Sequence, residues 1–210
     1  MLKILVENSV MPQKIILASN NPGKIREIQS LLEGLNIEIL PQALFIKEEA
    51  EETGQTFLEN ALIKARHAAR LGGLPVIADD SGLEVDALGG APGVFSARYA
   101  GAGASDQENN AKLLRELADV EDEKRTARFR CVMVYVRDAE DTDPIVADAA
   151  WEGRILTETR GENGFGYDPL FFVPELGCAS AELPPEVKNS LSHRGQALRV
   201  LANEIMRNSK

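Results

Sequence analysis

Two adjacent carboxylates, Asp79 and Asp80, follow the apolar residues Val76–Ala78 in the stretch VIADDSGLEVDALGG (76–90), with Ser81 and Gly82 behind them. Like charges side by side repel, and the end of a buried strand is a costly place to put them. A dication offsets that repulsion. Magnesium takes oxygen ligands and usually only one or two protein carboxylates, the remainder being waters and substrate phosphates. The acidic run KEEAEETGQ (47–55) supplies Glu51 or Glu52 as a second carboxylate. Both features also have a plainer reading. Asp, Ser and Gly are turn formers, so DDSG reads equally as a strand running out into solvent. Charge runs are most often solvated faces, and Glu48 and Glu49 belong to that class.

Three further stretches carry chemistry-bearing residues. In LASNNPGK (17–24) a strand, a polar turn and a helix start aim backbone N–H groups and a positive dipole end at an anion. Lys24 adds charge there, and Ser19, Asn20 and Asn21 add hydrogen bonds. The stretch lacks the Gly-Lys-Ser/Thr ending of a Walker A loop, and an ordinary Asn-Pro turn explains it as well. GENGFGYDP (161–169) lets backbone approach a ligand closely and offers Phe165 or Tyr167 as a flat face. Base–aromatic stacking is worth about 1–3 kcal/mol in single-stranded nucleic-acid complexes. Asp168 can accept from ring N–H groups; the plainer reading is a glycine-rich surface loop with one packed aromatic. EVKNSLSHRGQAL (186–198) groups Lys188, His193 and Arg194 just ahead of a helix. A lone His is more often structural than catalytic. Taken together the four stretches supply an anion cradle, a metal site, an aromatic slot and surrounding bases, which are the parts a nucleoside triphosphate needs.

The elements that position these residues alternate. KIILAS (14–19) is a strand, and Pro22 opens a helix striped by Ile25, Ile28, Leu31 and Leu32, with Gly34 as its stop. IEIL (37–40) is a second strand. Thr56 and Glu59 form a capping box for a helix with the face Phe57, Ala61, Leu62, Ala65, Ala68 and Ala69, ended by Gly72-Gly73. LPVIA (74–78) is the next strand, and a Gly-rich loop (89–103) leads to a helix capped by Ser105 with Glu108. ARFRCVMVYV (127–136) and PIVADAAWEG (144–153) pair antiparallel through an acidic turn; LFFV and a terminal helix with Leu198, Leu201, Ala202 and Ile205 follow. This order predicts an α/β fold around a mixed sheet.

Composition bounds the partners. The chain has 210 residues, 44% of them apolar, enough for a sizeable core. A net charge of −10 argues against a nucleic-acid-binding surface, which needs clustered Lys and Arg. Cys131 and Cys178 support neither a disulfide framework nor a metal knuckle, and Cys131 reads as core. No apolar stretch approaches the length of about 18 residues that spans a membrane, and MLKILVENSV is too short for a secretory signal. A cytoplasmic protein is the default expectation.

SNNPGK, EETGQTFLENALIKARHAA, IADDSGLEVDALGGAPGVFSARYAG, GENGFGYDPLF and SHRGQAL occur in this order, and with them the chain closely resembles the inosine/xanthosine triphosphate pyrophosphatase family. The resemblance covers residues 13–210 as one domain and leaves 1–12 as an N-terminal extension. It implies an elongated mixed sheet flanked by helices, with two lobes and a central nucleotide cleft. It also implies a magnesium-dependent homodimer that converts ITP, dITP and XTP to the monophosphate and pyrophosphate. Ser19, Asn20, Asn21, Gly23 and Lys24 would hold phosphates, and Asp80 would be the acid/base beside the metal, which Glu51 or Glu52 helps to hold. Ser81, Phe165, Gly166, Tyr167, Asp168, Lys188, His193 and Arg194 would line the nucleotide pocket. Relatives often read Thr-Gly-Asn where this chain has Ser19-Asn20-Asn21, which alters the backbone contact at residue 20.

On that basis water attacks the α-phosphorus with Asp80 orienting or deprotonating it, and Lys24 and Lys188 stabilise the departing pyrophosphate. Asp79 adjusts Asp80 by repulsion and hydrogen bonding. A donor such as Arg194, or a backbone N–H near it, would pair with the oxygen at purine position 6, where adenine presents an amino group. A Maf-like nucleotide pyrophosphatase fits less well, because GFGYDP and SHRGQAL are both present. A haloacid dehalogenase phosphatase needs an Asp-x-Asp pattern after the first strand, which is missing. A silent nucleotide sensor would lack the metal carboxylates.

Overall fold

The computed structural model describes residues 12–33 and 36–208. Apart from Pro12, the expected extension lies outside the described residues, as does Gly34, the expected helix stop. The elements are β1 (Gln13–Leu17), α1 (Pro22–Leu32), β2 (Ile37–Pro41), α2 (Phe57–Gly72), β3 (Val76–Val85), α3 (Asp106–Glu116), β4 (Thr126–Val136), β5 (Ile145–Ile155), β6 (Phe171–Val173), β7 (Cys178–Ala179), α4 (Pro185–Leu191) and α5 (His193–Asn208). Local chemistry sets their ends. Pro22 opens α1 behind an Asn21 cap, and Thr56–Glu59 and Ser105–Glu108 both close reciprocal capping boxes. Gly73 stops α2 at φ 63°, where a Cβ would be strained.

The seven strands form one mixed sheet in the order β2-β1-β3-β4-β5-β6-β7. β1 pairs parallel with β2 and β3, and every later pairing is antiparallel. α1 and α5 cover one face over Ile15, Leu17, Ile28, Ile77, Met133, Leu198 and Leu201. α2 covers the other with Ala61, Ala65 and Ala68 against Ile16, Val76, Ala78 and Val134. A separate core, built on Leu83, Leu113, Phe129, Trp151, Leu170 and Phe171, fills the second lobe.

β3 differs from its expected form. The sequence suggests that it ends at Ala78 and breaks at DDSG; the strand instead runs through to Val85, pairing Asp79 with Met133 and Asp80 with Val132. The turn-forming residues are overridden by ten consecutive ladder partners on β4. This also removes the repulsion the sequence poses. Successive side chains on a strand point to opposite faces, so Asp79 joins Ile77 on the α5 face and Asp80 joins Ala78 on the α2 face. The two carboxylates are neighbours in sequence and are separated by the sheet.

Candidate active site

β1 pairs with β3 at Ile16↔Val76 and Leu17↔Ile77 and ends there, and β3 continues past it. The helix after β1 packs on one face and the helix after β2 on the other, so the chain reverses its winding beside β1. Open α/β sheets bind ligands in the crevice at such a switch point. Here the crevice is a cleft of about 390 Å³, walled by the 19–24 turn, the 47–55 loop, β3, the 164–168 loop and the α4–α5 junction. That is a ligand-sized volume.

On the α2 face, Lys64 Nζ lies 3.1 Å from Asp80 Oδ1 and 2.9 Å from Glu52 Oε1, and Asn60 Nδ2 donates to Asp80 Oδ2 at 3.3 Å. Arg98 approaches Glu52 at 3.7 Å. Burial pushes the Asp80 carboxyl above the usual range; Lys64 and Lys24 pull the other way, and burial wins. Burial works against the Lys64 ammonium, but Asp80, Asp79 and Glu52 hold its proton more tightly than usual. Glu52 lines the cleft, whereas Glu51 is exposed and outside it. Asp80 and Glu52 thus converge on the Lys64 ammonium, and they fall within the one or two carboxylates that magnesium usually takes from a protein. Among the described residues no group of three or more His, Cys, Asp or Glu is placed to hold a metal ion, so the other ligands would be phosphate oxygens and water.

On the α5 face, Asp79 is 1% exposed and joins both ends of the site. Its Oδ2 meets Lys24 Nζ at 2.9 Å and Arg194 at 3.6 Å and accepts from Ser81 Oγ at 3.2 Å, while Oδ1 is buried without a partner among the described residues. Burial disfavours the charge on Asp79, but Lys24, Arg194 and Lys64 override it and hold the carboxyl well below the ordinary range. Arg194 donates to Ser81 Oγ at 2.9 Å and also pairs with Glu27 of α1. Lys188 bridges Glu27 at 2.8 Å and Asp168 at 2.7 Å. Lys188 therefore stands at the aromatic end, beside Arg194, rather than with Lys24 as expected.

The 19–24 turn is more occupied than its sequence suggests. Asn21 Oδ1 accepts from Gly23 N at 2.9 Å and Lys24 N at 3.1 Å, which uses two N–H groups that would otherwise face an anion. Ser19 Oγ accepts from Asn21 N at 3.2 Å, and the Asn20 amide is bonded to Glu49. Gly23 serves by its smallness: an added Cβ would lie 2.5 Å from the Phe165 ring. Gly23→Ala is expected to displace Phe165 and to cost about 1–3 kcal/mol, the range for an over-packed contact. A lower urea midpoint and a raised KM for nucleotide are the readouts.

Of the two candidate flat faces, Phe165 is the one presented to the cleft. Lys188 Nζ lies 4.9 Å and the Arg194 guanidinium 5.7 Å from its ring centre. Tyr167 also lines the cleft, but it is 4% exposed and donates its hydroxyl to Ser96 O at 2.8 Å. Asp168 already accepts from Phe165 N at 2.8 Å, Ser180 Oγ at 2.9 Å and Lys188, so it organises the loop. His193 and Arg194 open α5 instead of preceding it. His193 stacks on Phe129 with ring centres 4.8 Å apart, and burial together with Arg194 and Lys188 pushes its pKa well below the usual value. It is a neutral wall and not a third base.

Sequence reasoning did not single out Glu27, Asn60 or Lys64. A signal was available for two of them. Asn60 and Lys64 are four residues apart, interleaved with the buried stripe Ala61, Ala65 and Ala68, where polar side chains are out of place unless they have partners. Glu27, beside buried Ile28, carries a weaker version of the same signal.

An open mixed sheet with a carboxylate–ammonium cluster at one end of its switch-point cleft and a cation-flanked aromatic at the other defines a nucleotide-handling α/β protein. The chain belongs to the Ham1 family, whose profile matches residues 15–204. It is 63% identical over 195 residues to a dITP/XTP pyrophosphatase of Methylococcus capsulatus, covering 93% of this chain and 97% of that one. Among solved structures, a HAM1 protein from Coxiella burnetii superposes with a TM-score of 0.87 at 50% identity, covering 93% and 99% of the two chains. A nucleoside-triphosphatase described as a dITP/XTP pyrophosphatase from Mycobacterium abscessus gives 0.72 at 43% identity, covering 90% and 97%. The resemblance drawn from the motifs and the expected mixed-sheet fold are both borne out. No helix among the described residues is long and apolar enough to cross a membrane.

Proposed function

We propose that the chain hydrolyses the deaminated purine nucleoside triphosphates ITP, dITP and XTP to the monophosphate and pyrophosphate. The observation that carries this reading is the division of one cleft by β3, with Asp80, Lys64 and Glu52 on one face and Asp79, Arg194, Lys188 and Phe165 on the other. The similarity to enzymes named dITP/XTP pyrophosphatase supports it.

Asp80 positions a water against the α-phosphorus and takes its proton as the new P–O bond forms. The bond from the α-phosphorus to the bridging oxygen breaks, and pyrophosphate leaves. Lys24 and Lys64 meet the phosphates, while Ser19, Asn20 and Asn21 border them. Asp80 and Glu52 would hold a magnesium ion, which supplies neutralising charge on the phosphates. Catalysis of phosphoryl transfer is mostly such positioning and charge stabilisation. The homodimer and the cytoplasmic setting implied by the resemblance belong to the same reading, and sedimentation reads the first of them.

Phe165 stacks the base, and Arg194 faces the oxygen at purine position 6. Arg194 Nε is buried without a partner among the described residues, so it is a donor that no side chain there claims. Adenine would set its amino group against that donor, and a buried unpaired donor is penalised by about 1–3 kcal/mol.

The raised Asp80 pKa has a visible consequence. Without metal the Asp80 carboxyl is expected to take up its proton above the ordinary carboxylate value near 3.8, and added magnesium is expected to lower that titration, which carboxyl infrared or NMR titration reads. A titration that magnesium leaves unmoved would contradict Asp80 as a ligand. The reading as a whole is tested by pyrophosphate release from ITP, dITP, XTP, GTP and ATP, with magnesium and then with EDTA. Fast, EDTA-sensitive release from the first three is expected, and equal release from ATP would overturn the base selection.

A further inference from the structure

The Phe165 ring is only as well placed as the short loop that carries it, and that loop is gripped from α3. Gly166 N donates to Asp106 Oδ2 at 2.7 Å, and Asn110 Nδ2 donates to Gly166 O at 2.9 Å. Asp106 and Asn110 are four apart, one turn of the same helix, and so share a face. One supplies an acceptor and the other a donor, and between them they satisfy both backbone groups of a single residue, as a neighbouring strand would. The peptide on the other side of Phe165 is fixed by Asp168, which accepts from Phe165 N at 2.8 Å. Gly166 has φ 62°, a left-handed conformation at which the chain reverses and which these bonds hold. Asn110 is 7% exposed. Its amide is committed to a backbone carbonyl 56 positions away in sequence, which propensity does not explain. Capping of α3 does not explain Asp106 either, because Ser105 and Glu108 already perform it.

We infer that Asp106 and Asn110 are positioning residues for the base slot: α3 clamps Gly166 and thereby fixes the orientation of the Phe165 ring on which the purine stacks. This rests on the reading of Phe165 as the stacking face. Asp106 lines the cleft, but the bonds that it and Asn110 make to this loop run to Gly166 and not to Asp80, so loss of the clamp is expected to act on binding of the base. Phosphate chemistry is left to the other end of the cleft.

The test compares Asp106→Ala, Asp106→Asn, Asn110→Ala and Asn110→Asp in the full chain, using ITP turnover, calorimetric binding of IMP and thermal unfolding. Asp106→Asn keeps an acceptor oxygen but loses the charge at the helix start. It is expected to hold KM within about twofold of the parent even if its melting temperature falls. Asp106→Ala and Asn110→Ala are expected to raise KM for ITP and weaken IMP about three- to tenfold, one hydrogen bond's range, with kcat changed much less. Asn110→Asp, which sets a carboxylate against the Gly166 carbonyl, is expected to exceed Asn110→Ala in the same direction.

A merely structural role predicts losses that follow melting temperature, with Asp106→Asn as poor as Asp106→Ala; that pattern overturns the inference. So does an unchanged KM in both alanine variants. A parent protein that binds no IMP and turns over no ITP would instead refute the functional reading itself, which the variants leave untouched.

Discussion

Asp80→Asn is expected to reduce kcat for ITP by about 10²–10⁴-fold, the range associated with removal of a positioned general base, while IMP still binds. The amide's one oxygen can still accept from Lys64, while its amino group is set against the Asn60 donor, so the α2 face keeps its packing and loses one hydrogen bond of about 1 kcal/mol. It cannot take a proton from water. Because burial already raises the Asp80 pKa, its ionised form is held at a cost in the folded protein, and removing that charge does not by itself unfold the chain. Lys64 retains Glu52 at 2.9 Å. The expected variant is therefore folded, nucleotide-binding and inactive. Rapid-quench turnover with calorimetric IMP binding checks it; full turnover would remove Asp80 from the mechanism.

Arg194→Ala is the second large effect, and it acts on two quantities. Arg194 is 2% exposed and stands between Asp79 and Glu27, both held ionised below their usual range despite burial. Taking away the shared cation leaves two buried carboxylates short of a partner, a change that typically costs about 3–5 kcal/mol. Denaturant unfolding reads that loss. The second effect is on selectivity: without the buried donor, the ratio of kcat/KM for ITP over ATP is expected to collapse. Arg194→Lys, which keeps the charge and alters the donor geometry, separates the two, since it should recover part of the stability and little of the selectivity. A variant that still rejects ATP as strongly as the parent would show that base choice lies elsewhere.

Most of the scaffold was legible because local and long-range preferences agree. The Thr56–Glu59 and Ser105–Glu108 boxes, Pro22 and Gly73 mark helix ends by backbone chemistry that needs no tertiary partner. The length of β3 was not legible, because Asp79-Asp80-Ser81-Gly82 has turn chemistry and only the β4 ladder overrides it. For the same reason the opposed directions of Asp79 and Asp80 were hidden, since a turn has no alternating faces. The site's cations were visible as residue types, but their partners were not. Glu27 meets Lys188 and Arg194, and Asn60 and Lys64 meet Asp80, across sequence separations that no local pattern reveals, and of the three Lys64 lines the cleft. The choice of Glu52 over Glu51 turns on which side of an irregular loop faces the cleft, for which no periodicity exists. His193 reads as a base beside Arg194 and Lys188; burial makes it neutral, and burial belongs to the fold.

Attack by water at the α-phosphorus of a deaminated purine triphosphate is read out by hydrolysis of ITP in heavy-oxygen water, followed by mass spectrometry of the products. IMP and pyrophosphate are expected, with the heavy oxygen in IMP and none in pyrophosphate. Label in the pyrophosphate would place the attack on the β-phosphorus, and release of IDP with orthophosphate would place it on the γ-phosphorus; either result would contradict the assignment of Asp80 and its water.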